Sequence, residues 1–178
     1  VSGEMDGKIK LLSCGRFCEA KNFDSIPEIA RYLVDLGNDI KWYIIGFGGG
    51  EELIRAKIGI HGMENRVIIL GKRADPYPYM NACDVYVQPS RYEGKAVAVR
   101  EAQILGKPVV ITDYPTSASQ LDDGVDGIIV PLDPQACAEG ISALLHDAEK
   151  MKKLSESCLS RDYSDRGEIG KVVGVIED

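Results

Sequence analysis

Short β-like runs, several of them continuously apolar, recur along this chain, separated by stretches with helical periodicity, and that alternation constrains the fold more than any other feature. The runs are residues 9–15 (IKLLSCG), 40–47 (IKWYIIGF), 66–71 (RVIILG), 84–88 (DVYVQ), 107–112 (KPVVIT) and 127–131 (GIIVP). A strand with one wet face would alternate apolar with polar residues, whereas unbroken apolar runs suit parallel strands covered on both faces. Helical candidates fall between them. The first places Ile26, Ile29, Ala30, Leu33 and Val34 on one stripe, with Asp24 or Ser25 as its cap and Gly37-Asn38 as its stop. Others span 51–60, 75–83, 97–105 and 134–145, and two helical stretches follow the last strand. Repeated strand, helix, strand spacing implies right-handed crossovers and an α/β fold with a doubly wound, Rossmann-like parallel sheet. Ligands of such sheets collect outside the carboxyl ends of the strands. The loops that follow the strands are therefore the ones to read for chemistry.

Composition narrows the ligand classes. With 178 residues and 44% hydrophobic content the chain can bury a full core. A formal charge of -7 lacks the basic face that nucleic acid requires. Any anionic ligand must then be held by a few cations gathered at one site. No apolar run approaches the roughly 18 to 20 residues of a membrane helix, and the opening VSGEMDGKIK has no signal-peptide core. The 5 cysteines, Cys14, Cys18, Cys83, Cys137 and Cys158, include no C-x-x-C pair and read as reduced thiols of a cytoplasmic protein. His61 and His146 lie far from them, so no metal is expected.

Three loops carry the candidates. After the first strand, Gly15 allows a turn, and Arg16 and Lys21 sit where two cations could meet a diphosphate. The plain alternative is a pair of solvated cations facing Glu19 or Asp24. After the second strand, Gly46, Gly48, Gly49 and Gly50 form G-x-G-G-G-E, which lacks the third glycine of a dinucleotide fingerprint. We read it as a turn between a strand and a helix, with close approach to a ligand as the lesser alternative. After the fourth strand, Glu93 precedes a helix expected to start near Ala96 or Val97, and Glu101 follows about one turn inside it. The amides of Gly94, Lys95, Ala96 and Val97 would then offer an anion site. Two acids at that separation could each hold a diol, one on a sugar and one on a ribose, with a diphosphate between them. They could equally be a helix cap and a surface acid.

Taken together, GRFCEAKN, VIILG, NACDVYVQPSRYEG, the E-x7-E of Glu93 and Glu101, GKPVVIT and DGVDGIIVP resemble the donor-binding half of retaining GT-B glycosyltransferases of family 4. The likeness runs from about Lys8 to Leu145. It implies that residues 1–178 are a C-terminal nucleotide-sugar-binding domain, with a core at about 8–162 and a terminal crossing helix at 163–178. The N-terminal acceptor-binding domain would be absent from this chain. Arg16, Lys21 and Glu93 are the implied catalytic residues. Gly15, Arg73, Glu93, Gly94, Lys95, Ala96, Val97 and Glu101 would bind the donor, a UDP- or GDP-linked sugar, with no cofactor and no metal. The implied activity is hexosyl transfer to a glycan or lipid-linked acceptor in surface-polysaccharide synthesis. It would take place in the cytoplasm, with peripheral membrane association through the missing half. Lys95-Ala96 departs from the family's usual aromatic residue followed by Gly or Pro. A non-catalytic nucleotide-sugar-binding module is the alternative from a different class, and an NAD-dependent dehydrogenase is disfavoured by the broken glycine pattern.

Overall fold

The computed structural model describes Val1 and residues 3–163. Six parallel strands, β1 (Ile9–Cys14), β2 (Ile40–Ile45), β3 (Val67–Gly71), β4 (Val85–Gln88), β5 (Val109–Thr112) and β6 (Ile128–Val130), form one sheet in the order β3-β2-β1-β4-β5-β6. Each falls inside its expected apolar run. Helices α1 (Ile26–Asp35), α2 (Glu51–Ile60), α3 (Tyr77–Ala82), α4 (Val97–Ile104), α5 (Ser117–Gln120), α6 (Pro134–Leu145) and α7 (Ala148–Ser160) fill the connections. The short α5 is the element among these that no periodicity announced. The terminal helix expected at 163–178 lies, apart from Tyr163, outside the described residues.

Two apolar layers explain the unbroken strand runs. On one face Leu11, Trp42, Ile44, Val85 and Val110 pack with residues of α1, α2 and α6. On the other, Leu12, Tyr43, Tyr86, Val109 and Ile111 pack with Met80 of α3 and Val99 and Ala102 of α4. Successive side chains point to opposite faces, so a strand buried on both is apolar at most steps, with Ser13, Gln88 and Thr112 as buried polar exceptions. Helix α7 touches both α6 and α4. Its end is fastened by Arg161, whose Nη1 and Nη2 donate at 2.6 Å to Asp126 and Asp122, while the Tyr163 hydroxyl donates to Asp126 at 3.0 Å. The Asp126 side chain is only 1% exposed. Arg161→Ala strands this carboxylate and should cost about 2 kcal/mol in urea denaturation.

The first helix begins differently from expectation. Neither Asp24 nor Ser25 caps it: a 3-10 turn over Phe23–Ser25 runs directly into α1 without a side-chain cap bond. The Ser25 hydroxyl instead donates to Asn22 Oδ1 at 2.6 Å, and Asp24 faces Arg91. Asn22 takes a left-handed conformation at φ 59°, which Asn adopts more readily than most residues.

Four of the 5 cysteines are buried, and Cys18 is exposed. Burial pushes the thiols of Cys83, Cys137 and Cys158 up to about 12 and that of Cys14 up as well. A thiol reagent at neutral pH should therefore modify Cys18 in the folded chain and all of them after denaturation. The sign for stability follows from the same shift. Between pH 9 and 12 the unfolded chain releases thiol protons that the folded chain retains, so unfolding free energy falls as pH rises through that window. Denaturation midpoints at pH 8 and pH 10.5 check it.

Candidate functional site at the sheet's switch point

Chain order reverses between β1 and β4. From β1 the sheet grows to β2 and β3, and from β4 it grows the other way to β5 and β6. The loops leaving β1 and β4 therefore diverge, opening a crevice at their carboxyl ends. These are the loops that carry Lys21 and Glu93.

The two side chains meet there. Lys21 Nζ lies 2.7 Å from Glu93 Oε1 and 2.9 Å from Oε2. The Glu93 side chain is 4% exposed and that of Lys21 is 23% exposed. Neither Glu19 nor Asp24 takes Lys21, so the solvated-cation alternative does not describe it. Glu93 does not cap α4 either, because the N-cap position is Ala96 and no side chain caps it. Instead Oε1 of Glu93 also accepts from the Ser90 hydroxyl at 2.6 Å and from Gln88 Nε2 at 3.0 Å. The Tyr86 hydroxyl fixes the Gln88 amide by donating to its Oε1 at 2.8 Å. The Thr116 hydroxyl donates to the Glu93 carbonyl at 2.8 Å. Gln88, Ser90, Tyr86 and Thr116 were not among the expected site residues. A lone glutamine in the apolar run VYVQ was the available signal.

The loop-to-loop geometry is locked by further contacts. Asn22 Nδ2 donates to the Pro89 carbonyl at 2.9 Å. The Arg91 amide donates to the Ala20 carbonyl at 2.8 Å, and its guanidinium to the Glu19 carbonyl at 2.6 Å. Each of these bonds ties the β1 loop to the β4 loop, so the Lys21–Glu93 contact is held by main chain on both sides.

The other expected residues are placed as follows. Glu101 is buried on α4, and its charge is one of the influences that raise Cys14 and Tyr86, after burial itself. The surface-acid alternative therefore fails. Lys95 is exposed, as are Gly94 and Val97. Ala96 N–H is already engaged by Gln120 Oε1 at 3.3 Å, so one of the amides expected to face an anion is occupied by α5. Arg16 is exposed with its guanidinium carbon 5.3 Å from the Phe47 ring centre, and Lys72 Nζ lies 4.9 Å from the same centre. Arg73 is held by Glu4 at 2.7 Å and by the Tyr79 hydroxyl at 2.9 Å. Among the described residues neither Arg16 nor Arg73 bonds to the Lys21–Glu93 pair.

The glycine turn after β2 packs on the neighbouring loop of the protein itself. A Cβ at Gly46 would lie 1.8 Å from the Gly15 carbonyl oxygen, and one at Gly48 would lie 2.8 Å from that of Phe17. Gly15 N–H donates to Ile45, Phe17 N–H to Phe47, and Gly50 N–H to Phe17. Close approach is indeed why glycine is needed, but the approaching backbone belongs to the β1 loop. Beside it lies a cavity of about 630 Å³ lined by Phe17, Cys18, Phe23, Gly50, Leu53 and Arg91. None of Lys21, Glu93, Gln88 and Ser90 is among its lining residues.

No helix among the described residues is long and apolar enough to cross a membrane. No cluster of three or more metal-ligating side chains occurs among them.

A six-stranded parallel sheet with a polar cluster at its switch point defines a Rossmann-like α/β domain. Residues 1–159 match the family model of the glycosyl transferases group 1, and the chain belongs to that family. It is 28% identical over 156 residues to the alpha-D-kanosaminyltransferase of Streptomyces kanamyceticus, covering 86% of this chain and 40% of that protein. It is 30% identical over 145 residues to a Campylobacter jejuni N-acetylgalactosaminyltransferase that acts on a diphospho-undecaprenol-linked sugar, covering 80% of this chain and 39% of that protein. The chain thus spans about two fifths of the length of these curated relatives. Among solved structures, Anabaena HepE in complex with UDP superposes with a TM-score of 0.80 at 22% identity, over 96% of this chain and 48% of that one. The C-terminal domain of a glycosyl transferase group 1 family protein from Francisella tularensis gives 0.77 at 22% identity, over 88% of this chain and 85% of that one. The fold is that of one Rossmann-like half of GT-B glycosyltransferases.

Proposed function

We propose that this chain is the C-terminal, donor-binding half of a retaining family 4 glycosyltransferase that transfers a hexosyl group to a glycan or lipid-linked acceptor in surface-polysaccharide synthesis. The observation that carries this reading is the meeting of Lys21 and Glu93 at the switch point, where one group suits a phosphate and the other suits sugar hydroxyls. Family membership and the relatives' printed activities support it. A likeness to an isolated C-terminal domain supports the boundaries, with an acceptor domain supplied by sequence outside this chain.

In this reading Arg16 and Lys21 contact the donor diphosphate and stabilise the charge that grows on the leaving nucleotide as the glycosidic bond breaks. Gly15 gives the β1 loop its turn, and Glu93 holds hydroxyls of the transferred sugar. The amides of Gly94, Lys95 and Val97 lie at the positive end of α4, and Glu101 holds the ribose. Ala96 would join them only by exchanging Gln120 for the ligand. Arg73 would reach the base by leaving Glu4 and Tyr79. No metal takes part, since a few convergent cations can neutralise a diphosphate on a chain whose overall charge is -7. The complete enzyme would work in the cytoplasm, with any membrane association made through its other half.

Calorimetric titration with UDP, GDP, ADP and their sugar conjugates tests the reading. The chain should bind one nucleotide weakly and transfer almost no sugar alone, because its cleft has one wall. Arg16→Ala and Glu101→Ala should each weaken nucleotide binding, the former by about tenfold or more. Absence of nucleotide binding, or affinities untouched by both substitutions, would overturn it.

A further inference from the structure

We infer that Glu93, by holding Lys21, lowers affinity for the bare nucleoside diphosphate and so favours release of the spent nucleotide. The inference rests on the donor-site reading above and adds a release step to it.

Glu93 is the fixed member of the pair. Its side chain is 4% exposed, and Oε1 takes bonds from Ser90 and Gln88 in addition to Lys21. Gln88 is itself 1% exposed and tied to Tyr86. This carboxylate is therefore held in place by two neutral donors that do not depend on Lys21. Lys21 is the adaptable member, a flexible side chain that retains some exposure.

A diphosphate that recruits Lys21 thus meets a cation already neutralised at 2.7 Å by an acid that stays in place. At such separations a unit charge acts strongly on its neighbours, because the surroundings are poorly solvated. With a bare nucleotide, the Glu93 charge is partly stripped of its cation and faces the phosphates. With a sugar attached, hydroxyl donors replace what Lys21 withdraws, and the acid becomes an asset. Once the sugar has been transferred, that compensation is gone. Glu93 then competes with the diphosphate for Lys21.

The test is calorimetry of the wild-type chain and of Glu93→Gln, Glu93→Ala and Lys21→Met with UDP and, in parallel, GDP. Thermal melts confirm that each variant is folded, and Glu93→Ala avoids setting a second amide against Gln88. Whichever nucleotide the wild type binds should bind at least about threefold more tightly to the folded Glu93 variants, and more weakly to Lys21→Met. Equal or weaker nucleotide binding by the Glu93 variants, with Lys21→Met still impaired, overturns this inference and leaves the donor-site reading standing. Nucleotide binding unaffected by Lys21→Met, or no binding by the wild type, overturns both.

Discussion

Gly46→Ala should unfold most of the chain or lower its unfolding free energy by about 4 kcal/mol or more. The reason is steric and has no cheap escape. The added Cβ would lie 1.8 Å from the Gly15 carbonyl oxygen and 3.1 Å from the Phe17 ring, at a φ of 149° that side chains rarely adopt. The obstructing atom is backbone, so the loops after β1 and β2 must part. Parting them strains the bonds from Gly15 to Ile45, from Phe17 to Phe47 and from Gly50 to Phe17. A total stability of about 5 to 15 kcal/mol cannot absorb that without a visible loss of folded population. Gly49→Ala is the matched control, since nothing lies within 4 Å of its Cβ position, and its midpoint should shift by less than about 1 kcal/mol. Urea denaturation of the two variants decides the matter. Equal midpoints would contradict the placement of the glycine turn.

Lys21→Ala should damage stability and ligand binding together. It leaves the Glu93 carboxylate, 4% exposed, with two neutral donors and no cation. Removing one partner of a buried pair costs several kcal/mol, and the partial exposure of Lys21 reduces this to about 2 kcal/mol. Nucleotide affinity should drop by about ten- to a hundredfold as a charge-assisted bond is lost. The double variant with Glu93→Gln separates the two effects. It should recover much of the stability, because no charge is left stranded, and only that part of the affinity lost to repulsion by the bare Glu93 carboxylate, since the Lys21 contact to phosphate is not restored. Additive stability losses would mean that the pair is not coupled through charge.

Much of this was legible because parallel strands buried on both faces have a composition of their own. IKWYII and VYVQ announce strands β2 and β4, and the spacing of Glu51 to Ile60 matches α2 at both ends. The loops were legible as a class too, since Lys21 and Glu93 follow strands whose carboxyl ends meet at the crevice. Their direct pairing was hidden by a separation of 72 residues, across which no local pattern operates. The supporting shell was hidden for another reason. Gln88, Ser90 and Thr116 are single polar residues whose value lies in three-dimensional bonds to Glu93, and a lone polar residue has no periodicity to read. The cap expected at Asp24 or Ser25 failed because Asn22 and Arg91 claim those side chains for the junction between loops. The fifth helix, four residues long, is too short to display a stripe.

The decisive experiment is a crystal structure of the chain with the nucleotide it binds, alone and with its sugar attached. The diphosphate should lie within hydrogen-bonding distance of Lys21 Nζ in the crevice between β1 and β4, with sugar hydroxyls on Glu93. A nucleotide seated instead in the cavity between Phe17 and Leu53, with the Lys21–Glu93 pair intact and untouched, would contradict it.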